Sequence, residues 1–204
     1  MLKVAYWGAH LTRNMGGPSL LAGTCRVLEN EFGEVDSTLL SLEAGADAAV
    51  GEHYRVKVVG YRTADLYRAF AYSLWAWIRR KYFGAPSGAG FRNPVLRALT
   101  GADLVADING IMLTDLFPSA RGLFLQAMQM LIPLLLGRKT IKFTQDMGPF
   151  RVRLNRWVAK ICLPRLSLIL VRSEDSRAYL AGIGIHRDVH VRPDSGFLLE
   201  PSEA

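Results

Sequence analysis

Short apolar runs alternate along this chain with longer segments in which apolar residues recur at helical spacing. Runs of apolar and β-branched residues bounded by polar turns are typical of buried strands. This pattern predicts strands at residues 2–7, 34–41, 54–59, 103–108, 141–144, 168–171 and 189–192. Residues 43–52 fit neither pattern, and residues 84–90 form a predicted surface loop. Since helical segments separate most strands, the sequence predicts a doubly wound, mostly parallel Rossmann-like α/β sheet.

The helical segments carry the signals expected at helix ends. Pro18 precedes the first helix, predicted at residues 19–32, and Gly33 follows it. Thr63 and Ser173 are expected to cap later helices. The other predicted helical segments are residues 63–82, residues 123–136, a segment opening at Arg151 and a segment beginning at Ser173.

The helix predicted at 63–82 is rich in aromatic residues and ends in three cations. One stripe of this helix comprises Leu66, Phe70, Leu74, Trp77 and Ile78. The cations that follow suit the negative end of the helix dipole and are Arg79, Arg80 and Lys81. Such a helix also suits the surface of a bilayer, but we expect the stripe to pack on the sheet.

Several predicted strands end in polar residues or glycine. Asp107 and Asn109 close one strand, Gln145 begins a turn forced by Gly148-Pro149, and Arg172 ends another strand. In an open parallel sheet these ends lie along one edge, where ligands bind. The sequence therefore predicts one half of a binding cleft.

The loop after the first strand supports the same expectation. It contains Asn14 and Gly16, and glycine lets the backbone of such a loop approach an anion at a helix N-terminus. The loop does not match GxGxxG or the P-loop pattern. Arg151 stands at the predicted start of another helix, where a cation is unfavourable unless an anion binds nearby.

Composition narrows the class of protein. The 204 residues suffice for one substantial domain, and half of them are hydrophobic with a mean hydropathy of +0.14, which excludes a disordered chain. The net charge of +7 and pI near 9.7 indicate anionic partners. Nucleic acid is disfavoured because the arginines are scattered without aromatic interleaving.

Localisation signals and metal-ligand patterns are missing from the sequence. The N-terminus lacks a signal-peptide pattern, and the apolar stretch 123–136 is shorter than the about 20 residues that a spanning helix needs. Cys25 and Cys162 each lie in a helical apolar pattern and are predicted to be buried free thiols. Free thiols are typical of a reducing compartment, so we expect a cytoplasmic protein. The four histidines lack zinc-type spacing to cysteines or acids, so we expect no metal.

Five segments together resemble the N-terminal half of a polysaccharide pyruvyl transferase. They are Gly8 with Asn14-x-Gly16, ADLVADINGIMLTD, QDMGPF, VRSEDSRAYLAGIGI and RPDSGFLLEP, in the order found in that family. The resemblance implies the N-terminal domain of a GT-B-like fold over residues 1–200 and a second domain absent from this chain. Gly17-Pro18 stands where the family commonly has an acidic pair, so this loop departs from the family's pattern.

The resemblance also implies a chemistry. Such proteins transfer pyruvate from phosphoenolpyruvate to two sugar hydroxyls as a ketal in cell-surface polysaccharide biosynthesis, without a cofactor. The implied partners are phosphoenolpyruvate, a nucleotide- or lipid-linked sugar and the inner face of the membrane, and the general acid is expected in the missing half. The residues implied in substrate binding are Asn14, Gly16, Asp107, Asn109, Gln145, Arg151 and Arg172.

Each of these residues also has an ordinary structural interpretation. Arg172 is as readily explained by pairing with Glu174 or Asp175, and Asp107 by formation of a turn. Two other functions stay open: a GT-B glycosyltransferase that uses a sugar nucleotide, and a non-catalytic binding module. An exposed apolar surface near residues 197–199 would fit such a module.

Overall fold

A computed structural model describes residues 1–13, 16–84, 91–115 and 119–198. Its strands are β1 (Leu2–Trp7), β2 (Val35–Ser41), β3 (Lys57–Gly60), β4 (Leu104–Asp107), β5 (Ile111–Met112), β6 (Lys139–Met147), β7 (Leu168–Val171) and β8 (Val189–Val191). Its α-helices are α1 (Gly16–Phe32), α2 (Ala44–His53), α3 (Thr63–Phe83), α4 (Pro94–Gly101), α5 (Ala120–Leu135), α6 (Arg153–Cys162) and α7 (Glu174–Gly182). Short 3₁₀ helices occupy Leu163–Arg165 and Ser195–Leu198.

The described strands form one sheet in the order β3-β2-β1-β4-β6-β7-β8, and β5 pairs with β6. Every strand pairing is parallel. The chain winds outwards from β1 to β3 and then from β4 to β8 on the other side. The predicted doubly wound parallel sheet is therefore confirmed, and its direction of winding reverses between β1 and β4.

The central strands are buried on both faces. Ala5 and Trp7 of β1 pack in one hydrophobic cluster, whereas Val4 and Tyr6 of the same strand pack in another on the opposite face. Because both faces are covered, these strands have the continuous apolar character from which they were predicted. Cys25 and Cys162 are buried and free, as predicted.

The strand β6 extends further than its sequence predicts. Residues 145–147, predicted as a turn, continue the strand because β5 pairs alongside Asp146 and Met147. The turn begins instead at Gly148, whose peptide bond to Pro149 is cis. The short partner strand β5 was not predicted, and without it the end of β6 has no visible reason to stay extended.

Two segments in the N-terminal half have a secondary structure that differs from the prediction. Residues 43–52, which fitted neither pattern, fall largely within helix α2, and β3 begins at Lys57 because Tyr54 closes that helix. Arg62, not Thr63, occupies the N-cap of α3, and its backbone N–H donates to the Asp65 carboxylate at 2.9 Å. Gly84 ends α3, and the remainder of the predicted loop 84–90 lies outside the described residues.

The buried faces of two helices also differ from the predicted stripes. In α3, Leu66 is buried, but Leu74 and Ile78 are exposed. In α6, the helical spacing of apolar residues predicts a buried face made of Leu154, Trp157, Val158, Ile161 and Cys162. Leu154 and Trp157 are instead exposed. The residues of α6 that are buried are Asn155, Val158, Ala159 and Cys162. Within the part of the chain that is described, no helix has the length and apolarity needed to cross a membrane.

Candidate functional site

The carboxyl ends of β1, β4, β6 and β7 are adjacent in the sheet. We call this edge the carboxyl rim and define it by Gly8, Asp107, Asn109, Gln145 and Arg172. The rim is continuous because Trp7 pairs with Asp107 in register and the Arg172 backbone N–H donates to the Gln145 carbonyl at 3.3 Å. The fold therefore brings together four of the residues that the sequence singles out, Asp107, Asn109, Gln145 and Arg172.

One residue of the rim, Asp107, belongs to a buried ion pair. The Lys142 Nζ atom is 2.5 Å from Asp107 Oδ2, and the two side chains are only 1% and 3% exposed. Register places both residues side by side on β6 and β4, and Met112 Sδ lies 2.9 Å from the same ammonium. Two buried charges are tolerable because each neutralises the other.

Gln145, three residues after Lys142 on β6, joins the same network. Its Nε2 atom donates to the Asp107 carbonyl at 2.5 Å and to Asp107 Oδ1 at 2.8 Å. Gln145 is fully buried, and its Oε1 atom has no hydrogen-bond partner among the described residues. Asp107 and Gln145 are thus hydrogen-bonded to each other inside the protein, and they form the buried part of the rim.

Asn109 is the member of this network that reaches the surface. It is half-buried, and its backbone N–H and Nδ2 atom donate to Asp107 Oδ1 at 3.2 and 2.8 Å. Its side chain lies against Gly8, where an added Cβ would be 2.0 Å from Nδ2. Glycine at the end of β1 is therefore required for Asn109 to take this position, and its φ of +84° also favours glycine.

Arg172 forms a second polar cluster further along the rim. Its guanidinium contacts Asp146 Oδ2 at 2.5 Å and Asp194 Oδ2 at 2.9 Å. The expected alternative of pairing with Glu174 is not observed, because Glu174 pairs with Arg177. Two carboxylates thus surround one cation, and the cluster as a whole is not cationic.

Asp146 also accepts hydrogen bonds from the start of α7. Ser173 Oγ and Ser176 Oγ donate to Asp146 Oδ1 at 2.8 and 3.0 Å, and Ser173 caps the helix as predicted. Burial of the carboxyl opposes its ionisation, but hydrogen bonds from Arg172 and these serines outweigh burial and hold the pKa of Asp146 below its usual range. At neutral pH it is therefore a hydrogen-bond acceptor and not a proton donor.

Arg151 does not open a helix as predicted, since α6 begins two residues later. Its backbone N–H donates to Asp115, which also accepts from Val152 N at 3.1 Å and from Asn155 Nδ2 at 2.8 Å. The Arg151 side chain is exposed. Asp115, Val152 and Asn155 line a cavity of about 310 Å³ that opens beside β5. The rest of its lining is mainly apolar and includes Ile111, Leu123 and Leu154.

The loop after β1 approaches the start of α1 closely. Gly16 is the first residue of α1 and is exposed, whereas Asn14 lies outside the described residues. An added Cβ at Gly17 would be 2.0 Å from the His10 carbonyl oxygen, so the loop and the helix leave no room for a side chain there. Thr12 donates to the Asp47 carboxylate at 3.0 Å, which ties the loop to α2.

Sequence reasoning missed two residues of the site, Lys142 and Asp146. Lys142 is the one charged residue in the predicted strand 141–144, and a charge within a strand expected to be buried on both faces is a signal for a buried partner. Asp146 was assigned to a turn, so nothing in its surroundings indicated a partner. Across the described ranges, no cluster of histidine, cysteine and acidic residues has a geometry that could hold a metal ion.

The fold is that of a Rossmann-like α/β domain, similar to the N-terminal domain of a GT-B protein. A family model, polysaccharide pyruvyl transferase, matches residues 19–204. The chain therefore belongs to the polysaccharide pyruvyl transferase family. No protein of curated function matches it significantly.

Two solved structures share the fold. The Anabaena protein Alr3699/HepE, crystallised with UDP and glucose, aligns with a TM-score of 0.54 at 14% identity over 95% of this chain. MnaA of S. aureus, solved with UDP, aligns with a TM-score of 0.51 at 13% identity over 96% of this chain. In both cases the chain spans only 44% of the other protein's length.

Proposed function

We propose that this chain forms one half of a pyruvyl transferase that moves pyruvate from phosphoenolpyruvate onto two hydroxyls of a sugar as a ketal. The family match over residues 19–204 is the observation that carries this proposal. The polar edge of the sheet supports it, because an open α/β sheet binds its ligands where the winding reverses. A role in cell-surface polysaccharide assembly in the cytoplasm is part of the same proposal.

Ketal formation sets four requirements: a proton for the enol methylene, stabilisation of an oxocarbenium-like centre, deprotonation of a hydroxyl, and retention of the departing phosphate. The rim suits the sugar better than the phosphate. Asn109 of the rim and the ionised Asp146, which contacts Arg172 of the rim, are half-buried and offer a donor and an acceptor for hydroxyl groups. Asp107 and Gln145 act as positioning residues, because both are buried beneath Asn109.

We assign binding of the phosphate and carboxylate of phosphoenolpyruvate to groups other than Asn109 and Asp146. Arg172 already contacts two carboxylates, so it offers an anion little net attraction. The exposed Arg151 and the backbone N–H of Gly16 at the start of α1 are the better candidates on this chain. No residue of the rim is a ready proton donor, so we assign the general acid to a second domain facing the rim, as proposed from the length of the related structures.

The test uses the longest product of the reading frame that contains this chain. With phosphoenolpyruvate and an acceptor sugar carrying two suitably spaced hydroxyls, the protein should release phosphate and form a ketal. Asn109→Ala should lower kcat/KM by roughly tenfold to a hundredfold, since a lost hydrogen bond leaves polar partners unpaired. Asn30→Ala, on the exposed surface of α1, is the matched control. A folded protein that turns over no diol sugar would disprove the proposal. The 204-residue chain alone should be inactive.

A sugar-nucleotide glycosyltransferase is the second candidate, since both solved structures of this fold contain UDP. Calorimetric titration distinguishes the two functions. Saturable binding of a UDP-sugar with no binding of phosphoenolpyruvate would favour the glycosyltransferase.

A non-catalytic module is favoured by one observation, the exposure of Phe197 to 86%. Association of the chain through this residue, abolished by Phe197→Ser, together with an absence of turnover, would support that function.

A further inference from the structure

Beyond its first turn, the fully buried residues of helix α3 are small, and several of its large side chains are exposed. Facing the core are Ala69, Ser73 and Ala76, which are almost completely buried. Facing outwards are five large side chains that we call the outer stripe: Tyr67, Leu74, Trp75, Ile78 and Tyr82, with exposures between 38% and 66%. An ordinary surface helix has the reverse arrangement, with its large apolar residues inside.

The outer stripe is continuous along the helix. Its members are spaced so that they fall on one side of an α-helix, and from Tyr67 to Tyr82 the stripe is about 22 Å long. Phe124 of α5, itself 48% exposed, stacks on Tyr67 with ring centroids 6.2 Å apart. The surface is therefore an extended apolar band, larger than the scattered exposed residues of a typical surface.

Cations accompany the aromatic rings of this band. The Arg79 guanidinium lies 4.7 Å from the centre of the Trp75 ring, and the Lys81 ammonium lies 4.9 Å from that of Trp77. Asp65 is the one acid on α3, and it is buried and contacted by Arg62 and Arg68. The exposed charges of the helix are thus all positive.

The positive charge along α3 indicates which kind of partner covers the outer stripe. Two copies of the chain pairing antiparallel through the stripe would place Arg62 and Arg68 of one copy against the basic end of the other, which is unfavourable. A domain facing the carboxyl rim would leave the basic end uncovered. The reason is that α3 starts next to the end of β3 and runs about 31 Å back towards the opposite edge of the sheet.

We infer that the outer stripe docks this protein on an anionic lipid bilayer, with the axis of α3 parallel to the membrane plane. Aromatic rings then lie at the level of the headgroups, the aliphatic members enter the acyl boundary, and Arg79 and Lys81 meet anionic headgroups. The carboxyl rim faces sideways in this orientation, within reach of a molecule anchored in the same membrane. This inference does not depend on which reaction the protein catalyses.

Vesicle co-sedimentation tests the inference with the 204-residue chain. Wild type should bind vesicles containing phosphatidylglycerol at least tenfold more tightly than pure phosphatidylcholine vesicles, and 0.5 M salt should reduce the difference. The triple variant W75Q/I78Q/Y82Q should bind the anionic vesicles at least about tenfold more weakly. The pair Arg79→Gln and Lys81→Gln should lower binding to anionic vesicles and remove the dependence on salt.

The control is Trp157→Gln, which removes a tryptophan that is 62% exposed on α6. It should leave vesicle binding unchanged, and circular dichroism should show that every variant is folded. Equal binding to both lipids, unchanged binding by the triple variant, or an equal loss in the Trp157 variant would overturn the inference. So would a wild-type dimer that W75Q/I78Q/Y82Q converts to a monomer, since the stripe would then be a self-association surface.

Discussion

The Lys142 ammonium lies 2.5 Å from the Asp107 carboxylate between two central strands of the sheet, and both side chains are almost completely buried. Removal of one partner leaves an uncompensated charge in the interior. Lys142→Met should therefore lower the free energy of unfolding by about 3–5 kcal/mol, measured by urea denaturation.

The double variant D107N/K142M separates loss of the charge balance from loss of packing. It should be more stable than Lys142→Met alone, since no buried charge remains. Lys160→Met, at an exposed position of α6, should change stability by no more than about 0.5 kcal/mol. The single variant Asp107→Asn completes the comparison. If the loss in the free energy of unfolding of the double variant equals the sum of the losses in the two single variants, the two residues do not interact as an ion pair.

Gly8 should be intolerant of a side chain because Asn109 occupies the space beside it. Gly8→Ala combines an unfavourable positive φ with a steric overlap and should cost about 2–5 kcal/mol in the free energy of unfolding. Gly33→Ala is the matched control, because Gly33 also has a positive φ of +75° but has nothing within 4 Å of an added Cβ. It should cost only about 1–2 kcal/mol. Equal losses at both positions would argue against the overlap with Asn109.

Asp146 should make stability depend on pH in the acid range. Its pKa is held below its ordinary value, so the carboxylate stabilises the folded state above the unfolded pKa of about 3.9. That contribution is lost as pH falls through the lower pKa of the folded state. Urea denaturation from pH 7 to pH 2.5 should show a smaller loss of stability in Asp146→Asn than in wild type. Asp175→Asn, at an exposed position, should leave the wild-type profile unchanged.

Both thiols should be unreactive in the folded protein. Burial raises the pKa of Cys25, and it raises the pKa of Cys162 to about 11. At pH 8 the thiolate fraction is therefore small, and reaction with a thiol-specific disulfide reagent should be about two orders of magnitude slower than in guanidinium chloride. Unfolded protein should release two equivalents of the coloured product. Rapid modification of one thiol in the native state would contradict the buried placement.

The positions of the candidate site residues were predictable where they depended on strand direction. Once strands and helices alternate, the sheet is parallel and the strand ends share an edge, so Asp107, Asn109, Gln145 and Arg172 had to be near one another. Their partners were not predictable. Arg172 pairs with Asp146 and Asp194, which are 26 and 22 residues away in the sequence, whereas a local view suggested its neighbours Glu174 and Asp175.

The sequence alone determined the fold class, most of the strands, the cap at Ser173 and the burial of the two cysteines. These depend on periodicity and on residues close together in the chain, which a linear sequence displays directly. The tertiary structure decided that β6 continues to Met147, that Leu74 and Ile78 of α3 are exposed and that Lys142 is paired. Each of these depends on an element brought alongside from elsewhere in the chain, such as β5 beside β6 or Asp107 35 residues before Lys142.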